Sequence, residues 1–152
     1  MKHVEYTHTF GMDEETVESR LRDAETGVLT LASGSDSYAI PVAHYYDDQL
    51  YFRLGVTKGS AKQAYLESTE TACYVVYGAE KTADPREIDS WSVHVTGSLR
   101  QLTGAERDRF DTAEINRHFA PIRVFDESIE DVEIIIVELE IETIIGRTTG
   151  RG

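Results

Sequence analysis

Residues 38–62 read YAIPVAHYYDDQLYFRLGVTKGSAK, and this stretch decides the fold class. Tyr38 to Tyr46 and Leu50 to Leu54 are rich in β-branched and aromatic residues. Asp47-Asp48-Gln49 between them is a turn signal, so the two runs read as an antiparallel hairpin. Pro41 has no N–H to give to a ladder and assigns the first run to an edge or a bulge. The second run leads through Thr57-Lys58-Gly59-Ser60-Ala61-Lys62 into Gln63 to Ser68, where Ala61, Ala64 and Tyr65 indicate a short helix.

Upstream of the hairpin, Val28 to Ala32 forms a short strand that ends in the turn-rich run Ser33 to Ser37. Before it, Asp13 caps a helix with Glu14 and Glu15 in its first turn, where the helix dipole favours negative charge. Val17, Leu21 and Ala24 recur there at helical spacing until Gly27, and residues 1–10 read as an arm. Downstream, Thr71 to Tyr77 is a dense strand. Ser90 to Leu102 alternates, with Trp91, Val93 and Val95 on one side and Ser92, His94 and Thr96 on the other. Thr103-Gly104-Ala105-Glu106 fits a capping box that would open a helix reaching about Phe119. Val132 to Ile145 closes the chain as a long strand with its middle buried on both faces. The pattern predicts a mainly β (α+β) domain over residues 1–152, an antiparallel barrel with attached helices.

Composition bounds what such a domain can do. The chain has 152 residues and a net charge of −13, which repels nucleic-acid phosphates and anionic membrane faces. No run is long and apolar enough for a membrane helix, and the N-terminus lacks the apolar core of a secretory signal, so a soluble cytoplasmic protein is expected. Acid dispersed along the chain, with lysine only at Lys2, Lys58, Lys62 and Lys81, suggests a salt-adapted, haloarchaeal-type proteome; the alternative is an ordinary acidic cytoplasmic protein. Cys73 is the only cysteine and can make no internal disulfide.

Any phosphate must therefore meet a local exception to this charge. Gly59-Ser60-Ala61-Lys62 offers one: Gly59 for close backbone approach, the Ser60 hydroxyl, the Lys62 ammonium, and a helix start whose dipole attracts anions, with Lys58 adding charge. The same residues also read as an ordinary N-cap with solvated lysines. Arg53, at the end of its strand, either joins this loop or is a surface arginine among carboxylates. His44 and His94 lie on strands without a third ligand at metal spacing, and His3 and His8 fall in the arm. Asp47-Asp48 reads as a turn, and Asp108 with Asp111 as a solvated helix face.

Taken in order, Tyr38-Ala39-Ile40-Pro41-Val42, Leu50-Tyr51-Phe52-Arg53, Gly59-Ser60-Ala61-Lys62, the strand from Ala72 to Tyr77 and Ser90 to Gly97 resemble the pyridoxamine 5′-phosphate oxidase-like split-barrel family, in its small, nitroimidazole-resistance-like branch. The resemblance implies an FMN-binding homodimer with flavin at the subunit interface. It assigns backbone contacts with the flavin ring to Ala39, Ile40, Pro41 and Val42, the pair Phe52 and Arg53 to the next strand, phosphate contacts to Ser60 and Lys62, and a contribution from the partner subunit to Trp91 and Ser92. Tyr38, Phe52 and Trp91 would cover the ring. Ala61 stands where the oxidases proper carry a second basic residue, Arg53 where many small relatives carry histidine, and residues 141–152 lack the oxidases' substrate-binding pattern. The redox chemistry would be the cofactor's, with no catalytic side chain, in an oxidoreductase acting on a small molecule. The competing reading is a noncatalytic binder of flavin, haem or a deazaflavin on the same barrel.

Overall fold

A computed structural model describes residues 10–84, 88–116, 119 and 132–149. Its elements are β1 (Phe10–Gly11), α1 (Glu14–Asp23), β2 (Thr26–Ser33), β3 (Asp36–Asp47), β4 (Gln49–Thr57), α2 (Ala61–Ser68), β5 (Ala72–Lys81), β6 (Ile88–Gln101), α3 (Gly104–Asp108), α4 (Ala113–Asn116) and β7 (Val132–Thr148). The architecture is a mainly antiparallel sheet with a few helices. Seven strands run in the order β1-β7-β4-β3-β2-β5-β6, and β6 also pairs with β7, so the ladder returns on itself.

Alternation along the strands puts Leu29, Leu31, Ile40, Val42, Phe52, Leu54, Tyr74, Val76, Val93, Val95, Val137 and Leu139 in one core, with Val17 and Leu21 of α1 packed against it. A second cluster of Tyr51, Leu102, Phe110, Phe119 and Ile136 covers the outside of β4 and β7. Ile135 and Val137 therefore face one cluster and Ile136 the other, which is the burial on both faces expected for the last strand. Within β7 the pairing shifts at a bulge, Thr96 meeting Thr143 and Gly97 meeting Ile141, with Glu142 between them.

Two local expectations are corrected. Phe10 belongs to no arm, because it pairs with Thr148 across β1 and β7; residues 1–9 lie outside the described residues. The helix expected from Thr103 to Phe119 is broken into α3 and α4. Thr103 makes no side-chain cap, and Glu106, the other half of the expected box, is held by Arg100 of β6 at 3.0 and 2.8 Å. Phe110 then turns into the second cluster, ending the helical run. Asp13 caps α1 as expected, accepting the Thr16 N–H at 2.8 Å.

β3 does not pair evenly along its length. It pairs with β2 from Asp36 to Ala43 but with β4 only from His44 to Asp47, while β4 continues alone with β7 as far as Thr57. Past His44 and Phe52 the two strands fork. Pro41 lies on the part of β3 with a neighbour on one side only, which reconciles its missing N–H with a strand interior to the sheet order. The closed root of the fork holds His44, 2% exposed, whose Nε2–H donates to the Leu21 carbonyl of α1 at 2.7 Å while Nδ1 accepts the Tyr74 hydroxyl at 2.5 Å. The carbonyl can only accept, so the neutral Nε2–H tautomer is required. Burial holds the His44 pKa below its ordinary value and pushes the Tyr74 phenol far up.

Candidate functional site

α2 lies across the open end of the fork. It packs on β2 and β4, and Tyr65 stacks on Tyr38 of β3 with ring centroids 5.3 Å apart. Its C-terminal end is pinned by Thr69, whose Oγ1 accepts the Ala32 N–H at 3.0 Å. At its start, Ser60 Oγ accepts the Gln63 N–H at 3.2 Å, so the hydroxyl is an N-cap, and Gly59 takes φ of +79°, the left-handed region open to glycine. The Gly59 N–H donates to Gln63 Oε1 at 2.8 Å. Lys62 reaches back to β4, its Nζ donating to the Gly55 carbonyl at 2.9 Å. The loop from Thr57 to Lys62 thus sets a positive helix end and an ammonium group beside the strand edge that β4 exposes at the fork.

The other expected site residues divide by face. Ile40 and Val42 are buried in the core while Ala39 and Pro41 face outward, so it is their backbone that borders the fork. Phe52 is wholly buried with its ring centroid 4.7 Å from that of Tyr74, and no ligand at the surface reaches its side chain. Arg53 points to the other face of β4, its Nη2 donating to the Phe119 carbonyl at 3.0 Å and its guanidinium lying 5.5 Å from the Phe119 ring. Lys58 is exposed in the loop. Tyr38 is engaged with Tyr65, and Trp91 lies under the Arg20 guanidinium at 4.4 Å, packed so closely on Gly78 that a Cβ there would strike the indole. Neither ring is an open platform.

Trp91 and Ser92 are also distant from the loop within one chain. β6 runs in the same direction as β4, since each is antiparallel to β7, so the start of β6 lies at the end where β4 begins and Gly59 to Lys62 at the end where it finishes. Ser92 points outward between Tyr77 and Arg147. It belongs to a broad sheet face with two long cross-strand rows. One is Pro41, Val28, Val75, His94 and Ile145; the other is Ala39, Thr30, Cys73, Thr96 and Thr143. Neither row holds a carboxylate, in a chain with 28 acidic residues. His44 and His94 point to opposite faces of the sheet and cannot share a metal ion.

On the far side of α2 a cavity of about 310 Å³ is floored by Val56, Leu66, Ile135 and Val137 and rimmed by Glu67 and Glu133. Its rim repels a phosphate, which leaves the Ser60–Lys62 side of α2 as the place for one.

The fork itself left only one trace in the sequence, Pro41; nothing there marks where a strand loses its neighbour. A family model described as pyridoxamine 5′-phosphate oxidase matches residues 13–148, a span that holds the fork, α2 and the sheet face around His94. The chain belongs to this family. Members of similar fold include a candidate 5-nitroimidazole antibiotic resistance protein from Bacteroides thetaiotaomicron, with TM-score 0.66 and 17% identity, covering 97% of this chain and 96% of that one. A FAD-binding protein from Mesorhizobium loti gives TM-score 0.67 at 17% identity, covering 92% and 97%. A flavocytochrome from Azotobacter vinelandii gives TM-score 0.63 at 16% identity, covering 99% and 73%. No curated protein matches the sequence. At these identities the likeness is one of fold, and the pyridoxamine 5′-phosphate oxidase family is the level at which the chain is placed. No helix among the described residues is long and apolar enough to cross a membrane.

Proposed function

We propose that this chain is an FMN-binding flavoprotein of the cytoplasm, a split-barrel oxidoreductase acting on a small molecule, and that it works as a homodimer. The observation that carries the reading is the fork: two strand edges that, among the described residues, pair with no further strand there, with the Ser60 cap and Lys62 at its mouth. Free backbone N–H and C=O groups suit the polar edge of a flavin ring, and the helix start with its lysine suits a phosphate. The Lys62 ammonium, which donates to the Gly55 carbonyl, brings positive charge to the mouth of the fork, and that charge suits a phosphate. Flavin supplies the redox chemistry when bound; the chain's residues bind it, orient it and leave one face accessible. FAD-binding proteins among the structural neighbours support a flavin.

Two features support the dimer. Ser92 lies at the end opposite the phosphate loop, so a site using both takes them from different copies. The two rows through His94 and Thr96 hold no carboxylate among the described residues, so a second copy can cover them without burying acid on this acidic surface. Ring contacts then fall to backbone at Ala39 to Val42 and to the partner copy, rather than to Tyr38, Phe52 or Trp91.

An absorbance spectrum of the purified protein, followed by heat release and mass identification of the ligand, tests the cofactor. A yellow protein releasing FMN supports the reading; a colourless one that takes up no added FMN removes it. Oxidation of NADH or NADPH by the loaded protein separates an oxidoreductase from a noncatalytic binder. The dispersed acid we read as salt adaptation, so the melting temperature should rise with salt as self-repulsion is screened; a flat response refutes it.

A further inference from the structure

We propose that the cavity between α2 and the ends of β6 and β7 binds a small organic cation, a primary ammonium group carried on an apolar body. Such binding is independent of any flavin at the fork. The inward rows of two strands turn polar at this end of the sheet. Glu133, Ile135 and Val137 alternate onto one face of β7, and Glu133 stands opposite Val56 of β4, a member of the main core. Glu133 therefore occupies an inward position at the end of its row. On β6, Gln101 stands opposite Val137, two residues beyond Leu99 and on the same face, so a second inward position is polar. The opposite wall is α2. Its Gln63, Leu66 and Glu67 lie three and four residues apart, on one face of the helix.

The helix is held at both ends, by the Ser60 cap and by Thr69 on Ala32, and it packs on β2 and β4. It therefore spans the ends of β6 and β7 without closing on them. The gap of about 310 Å³ is about twice the size of an apolar cavity that admits benzene. Its walls divide by chemistry. Val56, Leu66, Ile135 and Val137 give an apolar floor, while Glu67 and Glu133 bring two carboxylates to the rim and Gln101 an amide. Among the described residues the lining includes no lysine, arginine or histidine, and Lys62, next to Gln63 in sequence, donates to the Gly55 carbonyl of β4. Acceptors above an apolar floor suit a ligand with donors at one end and hydrocarbon at the other. An ammonium group offers three N–H donors and a charge to the two carboxylates. An anion of the same shape is repelled by both, and a neutral analogue gains the floor alone.

Titration calorimetry of the full chain, with saturating FMN and without added FMN, tests this with phenethylammonium as the cation, 2-phenylethanol as its neutral analogue and 3-phenylpropanoate as the anion. Phenethylammonium should bind at one site per chain about fivefold tighter than the alcohol, and the anion should not bind. The double variant Glu67→Gln/Glu133→Gln, altered only at exposed side chains, should bind cation and alcohol alike. Leu66→Trp should fill the cavity and abolish both. Methyl resonances of Leu66, Leu99 and Ile135 in the wild type, which should shift during the titration, locate the ligand without relying on that variant. A preference for the cation that survives in the double variant, or wild-type affinity in Leu66→Trp, assigns the binding to the general negative surface and overturns the site. Competition with FMN, methyl resonances that stay in place, or the absence of saturable binding overturns it as well.

Discussion

The two ends of the β3–β4 fork are built on opposite terms. At the root, every polar group is paired: His44 bridges the Leu21 carbonyl and the Tyr74 hydroxyl, Phe52 packs on Tyr74, and α1 covers the end of the core. At the mouth, the same two strands give up their mutual hydrogen bonds, and α2 spans the gap through one ring stack and a few side-chain bonds. Stability is concentrated where the strands meet, and strand edges that no longer pair with each other lie where they part. A substitution at the root should act on folding, and one at the mouth on ligand binding.

The sharpest break of this division comes from Phe52→Ala, which empties a fully buried site at the root. It should cost about 3–5 kcal/mol in urea unfolding. A loss under about 1 kcal/mol would mean that the root carries little of the stability.

His44→Gln comes next, because a poorer fit leaves the Tyr74 hydroxyl or the Leu21 carbonyl buried without its partner, at about 1–3 kcal/mol. It also tests a pH effect of known sign. Burial lowers the His44 pKa, so below the ordinary value of 6.5 the unfolded chain binds a proton that the folded one does not. Wild-type stability should therefore be full above about pH 6.5 and fall as the pH drops through that value toward the lowered folded pKa. Urea midpoints of His44→Gln should be lower throughout but lack this decline.

At the mouth, Lys62→Ala should weaken FMN binding by about 1.5–3 kcal/mol, the worth of a charged hydrogen bond, and shift the urea midpoint far less. Equal losses in both measurements would erase the contrast between the ends, and unchanged FMN affinity would remove Lys62 from the site. The smallest effect is expected for Tyr65→Leu, which removes the stack on Tyr38 but keeps a bulky apolar group: about 0.5–1.5 kcal/mol, read as the difference in melting curves.

Much of the root was legible beforehand, because it is written in local signals. The turn at Asp47 to Gln49 is as tight as expected, with Asp48 at φ 62°, and Val132 to Ile145 carries its double burial in composition. The Ser60 cap was legible for the same reason. The broken helix after Thr103 was not: whether Glu106 closes a capping box or turns to Arg100 depends on a strand that precedes it only in sequence and meets it only in space. The packing partners of the aromatic residues were hidden in a similar way. Phe52, Tyr38 and Trp91 have the chemistry to cover a flat ring, but their partners Tyr74, Tyr65 and Arg20 come from distant elements that no spacing rule connects. The outward row around His94 needs the registers of four strand pairs before it exists at all.

The bulge at Glu142 means that the last strand is written in two reading frames. Before it, odd-numbered residues such as Val137 and Leu139 point inward; after it, the even-numbered Gly146 sits beneath Val17 and Met12. Deleting that one residue would restore a single frame and leave the pairing as it is, with Ile145 still opposite His94 and Arg147 still opposite Ser92. One extra residue is therefore absorbed at the bulge while the faces on either side keep their side chains, whereas a one-residue loss from the regular part of β7 would turn the residues beyond it to the opposite face.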